Sequence, residues 1–341
     1  MNYISLLMGK GLTPYQGEVV FKDPDDAQKP FAPHYEKQIR PLVEGFEGNR
    51  IKALKKVRLL TFLLIPVGIL AGIILYFILQ EGFMSEYDLY FVLAYVCILL
   101  LIVGGILGPI GAYDSKVKDK VFPKIFSFFG DFVYDQSGMS SVDRFKSSGI
   151  IPSYDQEETE DYIGGEYKGV TIRLTEAHLE TEHRNHKGNV YYKTVFKGLF
   201  VILSMHKNFK GQTIIKSDKG KFGNWFEDKF NKLENVQLED PDFEKKFEVF
   251  SDDQVEARYL LTTSFMERLL KLTALFGEKE IQASFYDDKF LIMIPSCKNR
   301  FEAGSIFSPA TFEEEINTIL AEMNEIFQIV DTLKLNQNIG L

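Results

Sequence analysis

Two long apolar runs without a charged residue constrain this chain more than any other feature. They cover residues 59–79 ("LLTFLLIPVGILAGIILYFIL") and 89–113 ("LYFVLAYVCILLLIVGGILGPIGAY"). A bilayer core about 30 Å thick is crossed by about 20 apolar residues of α-helix. A buried helix of a soluble protein rarely stays uncharged over that length. The sequence therefore predicts two transmembrane helices.

Basic residues predict the direction of these helices. They precede the first run and follow the second, whereas the connection 80–88 ("QEGFMSEYD") has none; they are Arg50, Lys52, Lys55, Lys56, Arg58, Lys116, Lys118, Lys120 and Lys124. Positively charged residues are retained on the cytoplasmic side of a membrane. We therefore expect both termini in the cytoplasm and residues 80–88 outside.

Each apolar run contains two glycines four residues apart. Gly68 and Gly72 form one pair, and Gly104 and Gly108 form the other. This spacing lets two helix backbones approach closely in lipid. It predicts packing between the two spans of one chain, with dimerisation between chains as the alternative. Neither run contains Asp, Glu, Lys, Arg or His, which argues against a transporter or proton pathway.

The remainder of the chain predicts a mostly antiparallel β domain with packed helices. Residues 199–203 ("LFVIL") are apolar on both faces of a strand, so this strand should lie in the middle of a sheet. Residues 281–295 predict a hairpin with "YDDK" as its turn. Capping boxes that begin at Ser264 and Thr311 predict two helices with apolar stripes. The predicted fold class is a membrane-anchored α+β protein.

These patterns divide the chain into seven segments. In order they are a mobile N-terminal tail (1–30), a cytoplasmic juxtamembrane helical segment (31–58), transmembrane helix 1 (59–79), an external loop (80–88), transmembrane helix 2 (89–113), a juxtamembrane helix with an acidic linker (114–160) and a cytoplasmic α+β domain (161–341).

Residues 176–188 ("EAHLETEHRNHKG") resemble a metal site at first sight, with three histidines and three glutamates. Zinc needs three or four converging ligands. In a strand, Glu176, His178, Glu180 and Glu182 share one face and His183 lies on the other. Side chains at alternate positions are about 7 Å apart, too far to chelate one ion without a second strand. The pattern favours a solvated edge hairpin, and no metal or cofactor is predicted.

A basic stretch stands out in a chain whose net charge is −9. Nine Lys or Arg residues and one acid, Asp218, lie between His183 and Lys221. The stretch predicts contact with anionic lipid or an acidic partner through four lysines and a nearby tryptophan, with an ordinary charged sheet edge as the alternative; these residues are Lys207, Lys210, Lys216, Lys219 and Trp225. Trp225 belongs to residues 221–233, which predict either an interfacial helix or core packing. The acidic total argues against nucleic acid as a partner.

Several segments together resemble a known family. They include "DYIGGEYKGV" (161–170), "NFKGQTII" (208–215), "EARYLLTTSFMERLL" (256–270) and "VDTLKL" (330–335). Over about residues 30–335 the chain resembles the domain of unknown function 3137 family of bacterial membrane proteins. The resemblance implies a spanning pair followed by a cytoplasmic domain, and it supplies no catalytic residues.

The predicted function follows from these features. We expect a bacterial inner-membrane protein that presents a cytoplasmic binding or regulatory module, and a homo-oligomer is left open. The alternative is an enzyme acting on a membrane-associated substrate. No Walker loop, GxSxG elbow or HExxH motif occurs in the sequence, and no catalytic residue is predicted.

Overall fold

The computed structural model describes residues 3–15, 17–23, 29–80, 88–204, 208–217, 233–276, 280–296, 301 and 306–333. These residues fall into two compact units. The helical unit lies within residues 1–21, 31–122 and 302–315, and the sheet unit lies within residues 22–30, 123–301 and 316–341.

Four helices begin the chain. They are α1 (Tyr3–Leu7), α2 (Ala32–His34), α3 (Arg40–Gln80) and α4 (Asp88–Phe126). One π-helical turn, Tyr35–Ile39, joins α2 to α3 directly before Pro41. Because Pro41 has no N–H to donate, the regular hydrogen-bond pattern changes there. Beyond Pro41, α3 continues through Gly45 and Gly48.

Helices α3 and α4 lie side by side and antiparallel. A Cβ added at Gly68 would lie 3.0 Å from Ile102 Cδ1, and one at Gly72 would lie 3.0 Å from the Tyr95 hydroxyl. Nearer the start of α3 and the end of α4, Phe46 packs edge-on against Tyr113. The glycines of α3 therefore form the flat surface against which α4 packs.

The two helices are long and apolar enough to cross a membrane. Large apolar side chains are exposed along both of them, from Leu59 to Phe77 and from Tyr90 to Leu107. Leu100 and Leu101 are 65% and 75% exposed. Helices of a soluble core bury such side chains, so the apolar surface of this pair is not covered by the described part of the chain.

Part of the N-terminal segment is helical and buried among the described residues. Helix α1 packs on α3, where Leu6 is fully buried and the Tyr3 hydroxyl hydrogen-bonds to Thr61 Oγ1. The apolar residues of this short segment find a surface on the first half of α3. That surface is formed by tertiary packing, which local composition does not reveal.

A buried ion pair joins three segments of the helical unit. Arg50 donates from Nε and Nη2 to the two carboxylate oxygens of Glu47, at 2.7 and 2.6 Å. Arg50 also donates to the carbonyls of Ile306 and Gly11, and Glu47 accepts from the Ala310 N–H. Burial acts to raise the pKa of Glu47, but these donors outweigh it and leave the pKa lowered. The pair thus connects the N-terminal segment, α3 and residues 306–310.

The sheet unit, as far as the structure describes it, contains nine antiparallel strands. They are β1 (Val133–Asp135), β2 (Gln156–Tyr167), β3 (Val170–Arg184), β4 (Val190–Ser204), β5 (Thr213–Ser217), β6 (Glu234–Asn235), β7 (Phe247–Ser251), β8 (Gln282–Tyr286) and β9 (Lys289–Pro295). Their order is β1-β2-β3-β4-β9-β8-β5-β7-β6. The later helices are α5 (Pro241–Glu244), α6 (Gln254–Leu260), α7 (Thr263–Leu275) and α8 (Glu313–Leu333).

Strand β4 lies inside the sheet, between β3 and β9, as its apolar centre predicts. Residues 199–203 are at most 1% exposed. One face of the sheet packs against the segment around Phe145, where Phe200 and Ile202 are in the same apolar cluster. On the other face, Phe265 of α7 packs against Phe290. The antiparallel α+β prediction is confirmed, including the β8–β9 hairpin.

Two local predictions need correction. The end of the predicted acidic linker, residues 156–160, is not a linker but pairs with β3 as the first part of β2. Long-range pairing with a strand is not visible in the local composition. Helix α7 is capped by Thr262, whose hydroxyl accepts from the Phe265 N–H, rather than by Ser264.

The Glu47–Arg50 pair generates a stability prediction. Arg50→Met should destabilise the helical unit by about 3–5 kcal/mol, because it leaves a buried carboxylate unpaired. The pKa of Glu47 is lowered by folding, so its stabilising contribution is present above its unfolded pKa and is lost as pH falls through the folded value. Unfolding of the purified protein in detergent, followed against pH, measures both effects.

Arg40→Met is the matched control. Arg40 pairs with Glu36 at 2.5 Å, but both side chains are more than half exposed. Water screens such a pair, so the unfolding midpoint should hardly change. Equal effects of the two substitutions would contradict the structural role of Glu47 and Arg50.

The α3–α4 contact generates a second prediction. Gly68→Ile with Gly72→Ile should destabilise the helix pair by about 1–3 kcal/mol through overpacking. Gly104→Ile with Gly108→Ile should not, because a Cβ at either position would meet no atom of the described chain within 4 Å. Thermal unfolding in detergent compares the variants. A larger loss for the second pair would contradict this contact and would favour packing between chains.

Candidate functional site

The end of the β3–β4 hairpin projects beyond the rest of the sheet. Strand β2 stops pairing with β3 at Glu180, and β9 stops pairing with β4 at Gly198. Beyond these points β3 and β4 pair only with each other, through the register Thr181↔Lys193 to Arg184↔Val190. We call residues 181–194 the ribbon. Every ribbon residue after Thr181 is exposed.

A tight turn closes the ribbon. The Asn185 side chain accepts hydrogen bonds from the N–H groups of Lys187 and Asn189, each at 2.9 Å. Gly188 adopts a φ of +81°, which residues with a Cβ rarely adopt. The "NHKGN" sequence therefore specifies a defined turn, with Lys187 at its tip.

Both faces of the ribbon carry a cation and a tyrosine. On one face, Lys193 lies beside the pair His183 and Tyr191, whose rings stack at 5.5 Å. On the other face, Arg184 lies near Tyr192. The alternation of a strand produces this distribution, because successive side chains point to opposite faces.

The ribbon is a cationic element. It contains Arg184, Lys187 and Lys193 against the single acid Glu182. Glu182 is engaged by Arg184 at 3.2 Å. Val190, Tyr191 and Tyr192 are 47%, 51% and 42% exposed. Exposed aromatic and basic side chains at alternate positions are typical of a surface that binds an anionic partner.

The His- and Glu-rich segment forms the base of the ribbon. His178 Nε2 lies 2.8 Å from Thr194 Oγ1 and 3.4 Å from Glu180, so these residues share a face as predicted. A small cavity of about 30 Å³ lies beside His178 and Glu176. Among the described residues, no three His, Cys, Asp or Glu side chains converge as metal ligands would. The segment lies between β2 and β4 up to Glu180, and only its last part forms an exposed hairpin.

Of the four predicted lysines, the structure describes Lys210 and Lys216. The N–H of Lys210 donates to Glu256, which holds the loop before β5. Lys216 lies on β5, paired with Glu248 at 3.1 Å. Lys207, Lys219 and Trp225 lie outside the described residues, as does the segment 221–232. The contact role of all five residues stays a prediction.

The glycines with a predicted packing role are placed differently from one another. Gly68 and Gly72 face α4, whereas a Cβ at Gly104 or Gly108 would have no described neighbour within 4 Å. It is Gly105 that faces α3, near Leu64. Packing within one chain and packing between chains both remain predictions for these residues.

A larger cavity, of about 390 Å³, lies in the helical unit beside Tyr15, Tyr35 and Glu47. The Tyr35 hydroxyl donates to the Thr311 carbonyl, and burial raises the pKa of Tyr35 to about 12. Glu47 uses both carboxylate oxygens to bind Arg50. These groups hold the fold together, and neither is poised as an acid or base at neutral pH.

A comparison with known protein families matches the C-terminal part of the chain. The model of the family described as "Protein of unknown function (DUF3137)" matches residues 194–335. The resemblance to DUF3137 is confirmed over this range. The match begins at Thr194, so it covers most of β4, strands β5–β9 and helices α5–α8. The wider resemblance over residues 30–193 stays a prediction.

Two further comparisons concern curated proteins and solved structures. No curated protein matches the chain. A similar solved structure is the crystal structure of the mycobacterial trehalose monomycolate transport factor A, TtfA, at 12% sequence identity and a TM-score of 0.35. The similarity covers 61% of this chain and 92% of that chain. A likeness this low carries no conclusion about fold or function.

Sequence patterns alone do not identify the ribbon as a unit. They place Val190, Tyr191 and Tyr192 in the first part of one long strand, and they extend the basic stretch as far as Lys221. A usable signal exists: the buried residues of β4 become continuous only from Gly198 onward. The polar residues before that point indicate a strand that has left the core.

The ribbon generates a third prediction. Tyr191→Ala with Tyr192→Ala should change the free energy of unfolding by less than about 0.5 kcal/mol, because both side chains lie at the surface. Phe200→Ala on the same strand should cost about 3–5 kcal/mol, because Phe200 is fully buried. Denaturant unfolding of the purified protein measures both. A large loss for the tyrosine variant would mean that the ribbon is covered in the folded protein.

Proposed function

We propose that this protein is anchored in the bacterial inner membrane by α3 and α4 and presents the sheet unit to the cytoplasm as a binding or regulatory module. The exposed apolar surface of the two helices carries the proposal. Leu63, Leu70 and Phe77 of α3 are each more than half exposed. Such a surface is stable in lipid and costly in water.

The backbone of both helices suits a bilayer. An α-helix satisfies its own N–H and C=O groups, which is required where water is absent. The close approach at Gly68 and Gly72 gives the pair van der Waals contact that does not depend on the hydrophobic effect. Both features support a spanning hairpin.

The direction of the hairpin follows from its basic end. Because α3 and α4 are antiparallel, the start of α3 and the end of α4 lie at the same end of the pair. Lys52, Lys55, Lys56, Lys116 and Lys120 are exposed there. We place this end in the cytoplasm, with residues 80–88 outside.

The sheet unit supplies the binding function in this proposal. It offers an exposed cationic ribbon at the end of the β3–β4 hairpin. The partner has anionic character, as a lipid headgroup or an acidic protein surface. A regulatory module needs a surface of this kind and no reaction of its own.

Cysteine labelling tests the topology. In a background with Cys97→Ser and Cys297→Ser, Ser85→Cys should react with an impermeant maleimide in intact cells. Ser308→Cys, at an exposed position, should react only after lysis. Labelling of position 308 alone in intact cells would reverse the orientation. Equal labelling of both positions in intact cells would show that the helices do not form a spanning hairpin.

A further inference from the structure

The ribbon extends beyond the strands that flank β3 and β4 in the sheet. Residues 181–184 and 190–194 form no pairs with β2 or β9 and contribute no buried side chain. At about 3.4 Å per residue, the ribbon extends about 15 Å beyond its neighbours. A projecting two-stranded ribbon adds little stability to the fold. Its exposed side chains are therefore available for contact with a partner.

The side chains of the ribbon match one environment in particular. Tyrosine is enriched at the boundary between the bilayer and water, where its ring and its hydroxyl are both accommodated. Lysine and arginine are attracted to anionic lipid headgroups. The ribbon combines Tyr191 and Tyr192 with Arg184, Lys187 and Lys193, in a chain whose net charge is −9. The cations are concentrated where the strands project.

The arrangement of these side chains suits the surface of a bilayer. One face carries Tyr191 and Lys193, the other carries Arg184 and Tyr192, and the tip carries Lys187. When the tip of a ribbon enters a headgroup layer, the headgroups contact both faces of the ribbon. This ribbon carries a cation and a tyrosine on each face, so both faces suit that environment.

We propose that residues 181–194 dock the sheet unit on the surface of an anionic bilayer. The ribbon enters the headgroup layer tip first, with the cations near lipid phosphates and the tyrosines at the interface. This inference rests on the proposed function, because the membrane anchor keeps the ribbon at a high local concentration near the leaflet. It assigns the contact to the ribbon rather than to the four lysines between Lys207 and Lys219.

The test uses the full-length protein in nanodiscs. Asn189→Cys, in the background without native cysteines, carries an environment-sensitive fluorophore at the turn. Nanodiscs contain phosphatidylcholine alone or with anionic phosphatidylglycerol, and a nitroxide on some headgroups quenches fluorophores within reach. We expect quenching roughly threefold stronger in the anionic discs, with most of the difference lost in high salt.

Charge reversal provides the matched comparison. Arg184→Glu, Lys187→Glu and Lys193→Glu together should abolish the extra quenching. A second triple variant changes the net charge equally at exposed positions outside the ribbon and should preserve the quenching; it combines Lys146→Glu, Lys245→Glu and Lys271→Glu. Tyr191→Ala with Tyr192→Ala should reduce the quenching and leave its salt dependence.

The outcomes separate this inference from the proposed function. A chain that incorporates into nanodiscs but shows equal quenching in neutral and anionic discs overturns the docking proposal and leaves an acidic protein as the ribbon's partner. Equal loss in the two charge-reversed variants would also overturn it, because net charge and not the ribbon would then be responsible. A chain that does not incorporate contradicts the membrane anchor itself.

Discussion

The pairing of β3 with β4 is the interaction on which the sheet unit depends. Over the first part of this pairing both strands are inside the sheet, and the apolar side chains of 199–203 form the centre of the core. Over the last part the same backbone hydrogen bonds continue without neighbours, and the side chains become polar, basic and aromatic. The pairing of these two strands, whose register shifts between Leu179 and Glu180, therefore supplies both the stability of the core and the stiffness of the ribbon. A ribbon fixed to the core holds its cations in place at little entropic cost.

The helical unit depends on a different interaction. In the proposed function its apolar helices lie in lipid, while the segments before and after them must be held together in water. The buried pair of Glu47 and Arg50 holds these segments together, because it joins the N-terminal segment, α3 and residues 306–310. In the proposed function, the two helices keep the sheet unit near the membrane, and the ribbon orients the sheet unit on the membrane surface. Each basic residue near an anionic surface contributes about 1 kcal/mol, so three cations suffice to orient a tethered domain.

Much of this fold can be predicted from particular residues. The uncharged runs at 59–79 and 89–113 specify the long helices, and "LFVIL" specifies a middle strand, because burial on both faces leaves no polar alternation. Features that depend on distant partners cannot be predicted in this way. The acidic residues 156–160 form a strand because β3 pairs with them, and Leu6 is buried because α3 offers a surface. The bounds of the ribbon escape prediction, since neighbouring strands, and not its own sequence, determine where the sheet ends.

Hydrogen exchange of the full-length protein in nanodiscs tests the central claim most directly, because one experiment reports on the helices and the ribbon together. We predict that residues 59–77 and 90–108 resist exchange in both neutral and anionic discs, since lipid surrounds them. Residues 181–194 should exchange quickly in neutral discs and several-fold more slowly in anionic discs. Rapid exchange in the two helices, or a ribbon that exchanges at one rate in both lipids, would contradict the claim that the helices anchor the protein and the ribbon docks it.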